Sequence, residues 1–168
     1  MNINLRPIIS SDCPEISSAF TAQGWDKPVD LYERYLKLQN SGARDIIIAT
    51  VNDQFAGYLT IMWKSDYLPF QEQRIPEIVD FNVLMKYWRR GIGTALMDQA
   101  EHRISLISPV AGIGVGVTAD YGAAQVLYAK RGYVPTGNGL VHNGLPIQRG
   151  QRIEVGDELG LYLIKMLK

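Results

Sequence analysis

The chain predicts an α+β fold in which a sheet is sandwiched by helices, and three observations carry that expectation. β-Branched and apolar runs over residues 45–51 and 55–63 flank Asn52-Asp53, the pattern of a hairpin. An apolar strand over 78–83 runs into a glycine-spaced turn that opens an amphipathic helix. A further strand over 110–117 follows that helix, so the two strands lie parallel across a crossover. Hairpins, one crossover unit and a closing pair of strands together fit a helix-covered sheet.

The elements follow in order. Ile3, Leu5 and Pro7 begin an alternating run that reads as an edge strand. Ser10-Ser11-Asp12 supplies N-cap chemistry for a helix through Pro14, Glu15, Ile16 and Ala19. A second helix spans about 28–39 with Val29, Tyr32, Tyr35 and Leu36 on its buried face, and Asn40-Ser41-Gly42 ends it. Residues 64–76 read as a polar loop containing aromatics. The helix after the glycine turn carries Ile92, Leu96, Ala100, Ile104 and Ile107 as one stripe. A short helix then places Ala124, Leu127 and Tyr128 inward, with Gly132 as its C-cap. Tyr133 begins another strand. The glycine-rich stretch 137–157 reads as strand plus long hairpin loop, and 159–166 is the last strand. With no repeat, low-complexity tract or linker, residues 1–168 are expected to form one domain.

The bulk numbers narrow the function classes. At 168 residues the chain can bury roughly 70% of its unfolded surface. Seventeen basic residues balance seventeen acidic ones, so no global field draws it to nucleic acid or to an anionic membrane. No apolar run approaches the ~18 residues of a membrane span, and the start lacks a signal-peptide pattern, so a cytoplasmic location is expected. The single cysteine, Cys13, forbids an internal disulfide and a Cys-based zinc site, and it is expected to be inert. His102 and His142 have neither a triad partner nor metal-ligand spacing, so no metal is expected.

The chemistry begins at Val83-Leu84-Met85-Lys86-Tyr87-Trp88-Arg89-Arg90-Gly91-Ile92-Gly93-Thr94-Ala95-Leu96. A strand running through glycines into a helix leaves unpaired N–H groups at the positive end of the helix dipole. Such a segment binds phosphate, and Arg89 and Arg90 add charge beside it. No Gly-x4-Gly-Lys-Ser/Thr run exists, which excludes a P-loop. Gly112-Ile113-Gly114-Val115-Gly116 has the wrong spacing for a dinucleotide fingerprint. Those three glycines suit either a strand whose neighbour splays away or a bulge.

The turn resembles the acyl-CoA loop of the GCN5-related N-acetyltransferases, the GNAT superfamily, whose pattern is Gln/Arg-x-x-Gly-x-Gly/Ala. Trp88, Arg89, Arg90, Gly91, Ile92 and Gly93 occupy its six places, with Trp88 where the family has Gln or Arg. A second element is similar to the family's Asn-x-x-Ala-x-x-Leu-Tyr-x-x-x-Gly-Phe segment. Here it runs from Tyr121 through Ala124, Leu127, Tyr128 and Gly132 to Tyr133, with Tyr121 replacing Asn and Tyr133 replacing Phe. The resemblance implies a central mixed, mostly antiparallel sheet of six or seven strands flanked by about four helices. Its parallel unit would be the fourth strand, third helix and fifth strand.

The resemblance also implies site roles. Acetyl-CoA, the co-substrate, would lie with its pyrophosphate on Trp88, Arg89, Arg90, Gly91, Ile92, Gly93 and Thr94. Its pantetheine arm would meet Phe81, Val83, Tyr121, Ala124 and Tyr128. A main-chain N–H between Phe81 and Val83 would polarise the carbonyl. An amine attacks a thioester only as the free base, so the site needs a proton acceptor and a donor for the leaving thiolate. Tyr128 is the expected donor. Glu77, eleven residues before Trp88, matches the spacing of the catalytic Glu in the histone-acetyltransferase branch. Asp80, a carboxylate in an apolar strand where burial would raise its pKa, is the rival base, and a water chain is the third option.

These residues imply an N-acetyltransferase that moves an acetyl group to a primary amine by direct attack. The alternative is an inactive GNAT-fold module that binds acyl-CoA as a sensor or interaction domain. The acceptor, a small molecule or a peptide amine, is open, and so is transfer of a longer acyl group. Trp25, Tyr32, Trp63 and Tyr67 could form an aromatic wall for it, although packing is the commoner role for such rings. Edge strands and the apolar last strand make a homodimer plausible.

Overall fold

Alternation and turn chemistry dictate how the first strands pair. The computed structural model describes residues 2–167. β1 (Ile3–Pro7) pairs antiparallel with β2 (Arg44–Val51), Ile3 opposite Val51 and Pro7 opposite Ile47. β2 turns into β3 (Gln54–Met62) at Asn52 and Asp53, with φ of 49° and 63°. Two left-handed central residues make the tight hairpin turn that matches strand twist, and Asn and Asp tolerate that conformation best among side-chain-bearing residues.

Two helices lie between β1 and β2: α1 (Asp12–Ala22) and α2 (Val29–Asn40). The cap of α1 differs from the expected one. Neither Ser10 nor Ser11 holds the helix start; the Asp12 carboxylate accepts the Ile9 N–H at 2.8 Å and takes both arms of Arg6 at 2.7 Å. Asp12 is nearly buried, and a bidentate guanidinium satisfies it better than a hydroxyl would.

Two compact units divide the chain. The first comprises residues up to Trp63 together with Ile78–Arg103. Its sheet has the order β1-β2-β3-β4, where β4 is Glu77–Val83. Its core is aromatic: Phe20 meets Phe55 and Tyr58 edge-on at 5.8 and 5.9 Å, and Tyr32 meets Tyr58 at 5.6 Å. Cys13 is buried there, and burial pushes its thiol up, so it stays a thiol. α4 (Ile92–Ser105) contributes Ile92, Leu96 and Ala100. Ile107, expected on that stripe, lies beyond the helix end and is exposed, because the chain has already turned at Ile104.

The second unit comprises Lys64–Glu77 and the residues from Ile104 onward. Residues 64–76 hold a short helix, α3 (Leu68–Glu72), where a loop was expected. Next come β5 (Val110–Gly116), α5 (Gly122–Lys130), β6 (Val134–His142), the two-residue β7 (Leu145–Pro146) and β8 (Leu159–Met166). Their order in the sheet is β5-β8-β6-β7. The eight strands and five helices described exceed the expected counts by β7 and α3. The α+β class and the chain order β4, α4, β5 are as read from the sequence.

The β5 glycines rule out one of the two readings left open above. β5 pairs with β8 in unbroken register from Val110–Met166 to Gly116–Gly160, so no bulge is present. Instead the glycines make room for rings. A Cβ at Gly112 would meet Phe70 at 2.4 Å, one at Gly116 would meet Tyr121 at 2.4 Å, and Tyr162 lies 3.4 Å from Gly114. Residues two apart share a strand face, so three rings line up along one face of β5.

Gly57 of β3 plays a different part. A Cβ there would sit 2.7 Å from the Asn82 carbonyl and 3.0 Å from Val83 Cα. Neither is a flexible tip that can swing aside. Gly57→Ala is therefore expected to lower stability by about 1–3 kcal/mol through overpacking, read as a reduced urea midpoint with unchanged slope.

Candidate active site

β4 ends at Val83, and the turn to α4 is braced before it reaches the glycines. Leu84 N–H donates to Ala56 O at 2.9 Å, and a 3-10 turn over Met85–Tyr87 follows. The Trp88 indole N–H reaches back to the Val83 carbonyl at 2.8 Å. Trp88 is 55% exposed, so it ties the turn to the strand end without entering the core. Arg89 (φ 57°) and Gly91 (φ 81°) then adopt left-handed conformations that aim the chain into α4. Ile92, 1% exposed, anchors the first turn.

Ala95 N–H bonds back to Gly91 O at 2.9 Å. The amides of Ile92, Gly93 and Thr94 precede it and have no intrahelical carbonyl to reach. Arg89 and Arg90 are exposed, and the Arg90 guanidinium lies 5.9 Å from the centroid of the Tyr87 ring. A row of amides at the positive end of a fourteen-residue helix, flanked by two arginines, favours an anion.

In β4, the two candidate carboxylates have different partners. Asp80 has φ 53°, a left-handed residue that interrupts the strand's alternation. Four donors converge on it. Oδ1 accepts Lys27 Nζ at 3.0 Å and Asn82 Nδ2 at 2.7 Å; Oδ2 accepts the Tyr58 hydroxyl at 2.5 Å and the Tyr35 hydroxyl at 2.9 Å. Burial alone would raise its pKa, as expected from the sequence. The Lys27 charge and the hydrogen bonds from Tyr58, Lys27 and Tyr35 outweigh burial, and the carboxyl is held below its ordinary range. A carboxylate so fully engaged is a poor proton acceptor, and the rise in pKa expected from the sequence is corrected to a fall. Lys27 also lies 5.5 Å from the Phe20 ring centroid and 5.7 Å from that of Tyr58.

Glu77 opens β4 and is 7% exposed. The fully buried Ser65 donates its hydroxyl hydrogen to Glu77 Oε2, and Ser65 Oγ in turn accepts the Tyr67 N–H at 3.0 Å. Phe81 and Val83, farther along β4, are half-buried.

In α5, Tyr128 is buried and its ring lies 6.0 Å from that of Tyr133. Burial, then the charge of Tyr121, pushes its phenol up, so it is protonated at neutral pH. Gly132 (φ 88°) turns the chain after α5, and Tyr133 N–H returns to Tyr128 O at 3.0 Å. Ala124 is half-buried. Tyr121 lies with its ring over Gly116 and donates its hydroxyl to Asp157 at 3.0 Å.

The four rings weighed as a wall each have a packing role, the commoner of the two readings. Trp25 stacks on Phe20 at 5.7 Å, Tyr32 is a core residue, and Trp63 donates to Asp45 at 3.1 Å. Tyr67 stacks on Tyr162 at 3.6 Å.

A glycine-turned helix start of this kind, in an α+β fold, defines a protein whose helix N-terminus favours an anion. The comparisons sharpen that class. The family model described as Acetyltransferase (GNAT) domain matches residues 16–150, a stretch that takes in parts of both units. The chain belongs to the GNAT acetyltransferase family. Among solved structures it is similar to an N-acetyltransferase from Staphylococcus aureus Mu50, at TM-score 0.72 and 14% identity, covering 100% of both chains. It is also similar to the ribosomal-protein-S18-alanine N-acetyltransferase from Escherichia coli, at TM-score 0.68 and 15% identity, covering 99% of this chain and 94% of that one. A third is yncA from Salmonella typhimurium, solved with its cofactor acetyl-CoA, at TM-score 0.69 and 14% identity, with coverage of 99% and 94%. At these identities the likeness is one of fold. No curated protein matches. Among the described residues no helix is long and apolar enough to cross a membrane.

Sequence reasoning missed Lys27, Tyr58, Tyr35, Asn82 and Ser65. Lys27 sits in Trp25-Asp26-Lys27-Pro28, a stretch without periodicity, and lies 53 residues from its partner Asp80. The Asp80 knot has a pH signature. Its folded-state pKa is depressed, so its stabilisation is full above the ordinary value of 3.8 and is lost as pH falls through the lower folded value. Lys27→Met is expected to destabilise the protein by about 3 kcal/mol at pH 7 and to weaken this acid dependence, measured as urea midpoints from pH 7 down to pH 2.5.

Proposed function

We propose that residues 1–168 form one catalytic domain that transfers the acetyl group of acetyl-CoA to a primary amine by direct attack. The observation that carries this reading is the start of α4. A family acetyltransferase needs a pyrophosphate seat, and the amides of Ile92, Gly93 and Thr94 with Arg89 and Arg90 have the right chemistry. The residues fit the group: Gly91 holds a φ that L side chains avoid, and the space where its Cβ would stand is open. Bound acetyl-CoA supplies the activated acetyl group.

The chain's own residues do the rest. Trp88 braces the phosphate turn through Val83, a role in which its indole replaces the side chain the family has there. Phe81 and Val83 present β4 main chain to the pantetheine amides, and an N–H of this stretch polarises the carbonyl. Tyr121 and Ala124 complete the pantetheine contacts from the segment around α5. Glu77 accepts the proton that the ammonium must lose before nitrogen can attack. Tyr128, kept protonated by burial, gives its proton to the departing thiolate.

A second reading has support of its own. Trp88 and Tyr121 both depart from the family pattern, and both side chains bond within the protein, to Val83 and Asp157. A module that binds acyl-CoA without transferring it would tolerate those departures. The acceptor is a primary amine of a small molecule or a peptide.

Calorimetric titration with acetyl-CoA is the direct test. The wild type should bind with micromolar affinity, and the Gly91→Glu, Gly93→Glu double variant should not. Tyr128→Phe should then keep acetyl-CoA affinity while losing about 10²–10⁴-fold in turnover against a panel of amines. Binding without turnover on any amine would favour the sensor module, and absent binding would end both readings.

A further inference from the structure

Ser65 lies in the stretch between β3 and α3, outside both family motifs, and it is 0% exposed. Its hydroxyl has one hydrogen and two lone pairs. Tyr67 N–H occupies a lone pair at 3.0 Å, which turns the hydrogen toward Glu77 Oε2. The Gln71 side-chain amide holds the Ser65 carbonyl at 3.1 Å, and the Tyr67 ring is clamped on Tyr162 at 3.6 Å. Both ends of the hydroxyl's environment are therefore fixed. On the Glu77 side, the preceding residue is anchored by Gly112 N–H donating to Pro76 O at 2.9 Å.

We propose that Ser65 is a positioning residue for the reaction, a fixed hydroxyl donor that orients the Glu77 carboxyl and favours its ionised form. This rests on the assignment of Glu77 as the base. Burial to 7% exposure would favour a neutral carboxyl, and a neutral carboxyl cannot take a proton from an ammonium. A hydroxyl that donates to the carboxylate opposes that shift and fixes the orientation of the carboxyl. Tyr67 and Tyr162 are the phenols of this region. The Tyr162 phenol is pushed up to about 12, by burial first and then by the charges of Glu77, Tyr67, Glu158 and Asp66, so it stays neutral through the range in which a carboxyl titrates.

The test titrates the carboxyl itself and the reaction side by side. The Glu77 side-chain carboxyl is followed by ¹³C NMR from pH 3 to 9 in the full-length wild type, Ser65→Ala and Ser65→Thr. The acidic limb of kcat/KM is measured over the same range with the best amine found. Ser65→Ala should raise the Glu77 titration midpoint by on the order of one pH unit, move the acidic limb by the same amount and leave acetyl-CoA affinity unchanged. Ser65→Thr, which keeps the hydroxyl, should restore both. An unchanged Glu77 midpoint in folded Ser65→Ala overturns the proposal. A midpoint that moves while the kinetic limb stays put shows that the contact exists and that Glu77 is not the base, which overturns the assignment beneath it.

Discussion

Four hydrogen-bond donors converge on the Asp80 carboxylate, and the first unit is organised around that convergence. They come from the segment between α1 and α2, from α2, from β3 and from β4, so one side chain gathers four parts of the chain. Its backbone is left-handed, a conformation costing roughly 1–2 kcal/mol for a residue with a Cβ. The surrounding bonds keep it there. Thr60 adds a further tie by donating to the Val79 carbonyl at 2.7 Å, and Gly57 lets β3 lie close against Asn82 and Val83. The shape of β4 thus follows from a buried charge with every lone pair engaged.

The second unit is organised by shape where the first uses charge. β5 has no side chains at 112, 114 and 116, and aromatic rings from three separate segments fill the vacated face. Phe70, Tyr67 and Tyr162 also contact one another, Tyr67 and Tyr162 face to face and Phe70 edge-on to both. This arrangement gives α3 its place in the fold. Five residues make barely more than one helical turn, too few to hold a helix without tertiary packing.

That contrast explains what could be read in advance. The hairpin at Asn52-Asp53, the stripe of α4 and the glycine turn at Gly91 are local, and local chemistry is visible in a linear pattern. α3 was not, because Leu68-Pro69-Phe70-Gln71-Glu72 is too short to show a period. The Asp80 knot was not, because Tyr58, Tyr35 and Lys27 lie 22, 45 and 53 residues away. The rise expected of a lone buried carboxyl was sound physics applied without its partners. Ser65 was hidden differently: serine in a loop carries no pattern, and only its burial beside Glu77 distinguishes it.

The indole of Trp88 has one more implication. Trp25 is stacked on a core ring and Trp63 is bonded to Asp45, whereas Trp88 faces solvent one residue before the arginines that flank the start of α4. Its emission belongs at the red, water-exposed edge of the protein's fluorescence, apart from that of the two half-buried indoles. The residue that departs most visibly from the family's phosphate loop therefore gives this chain an optical probe of that loop, without any label.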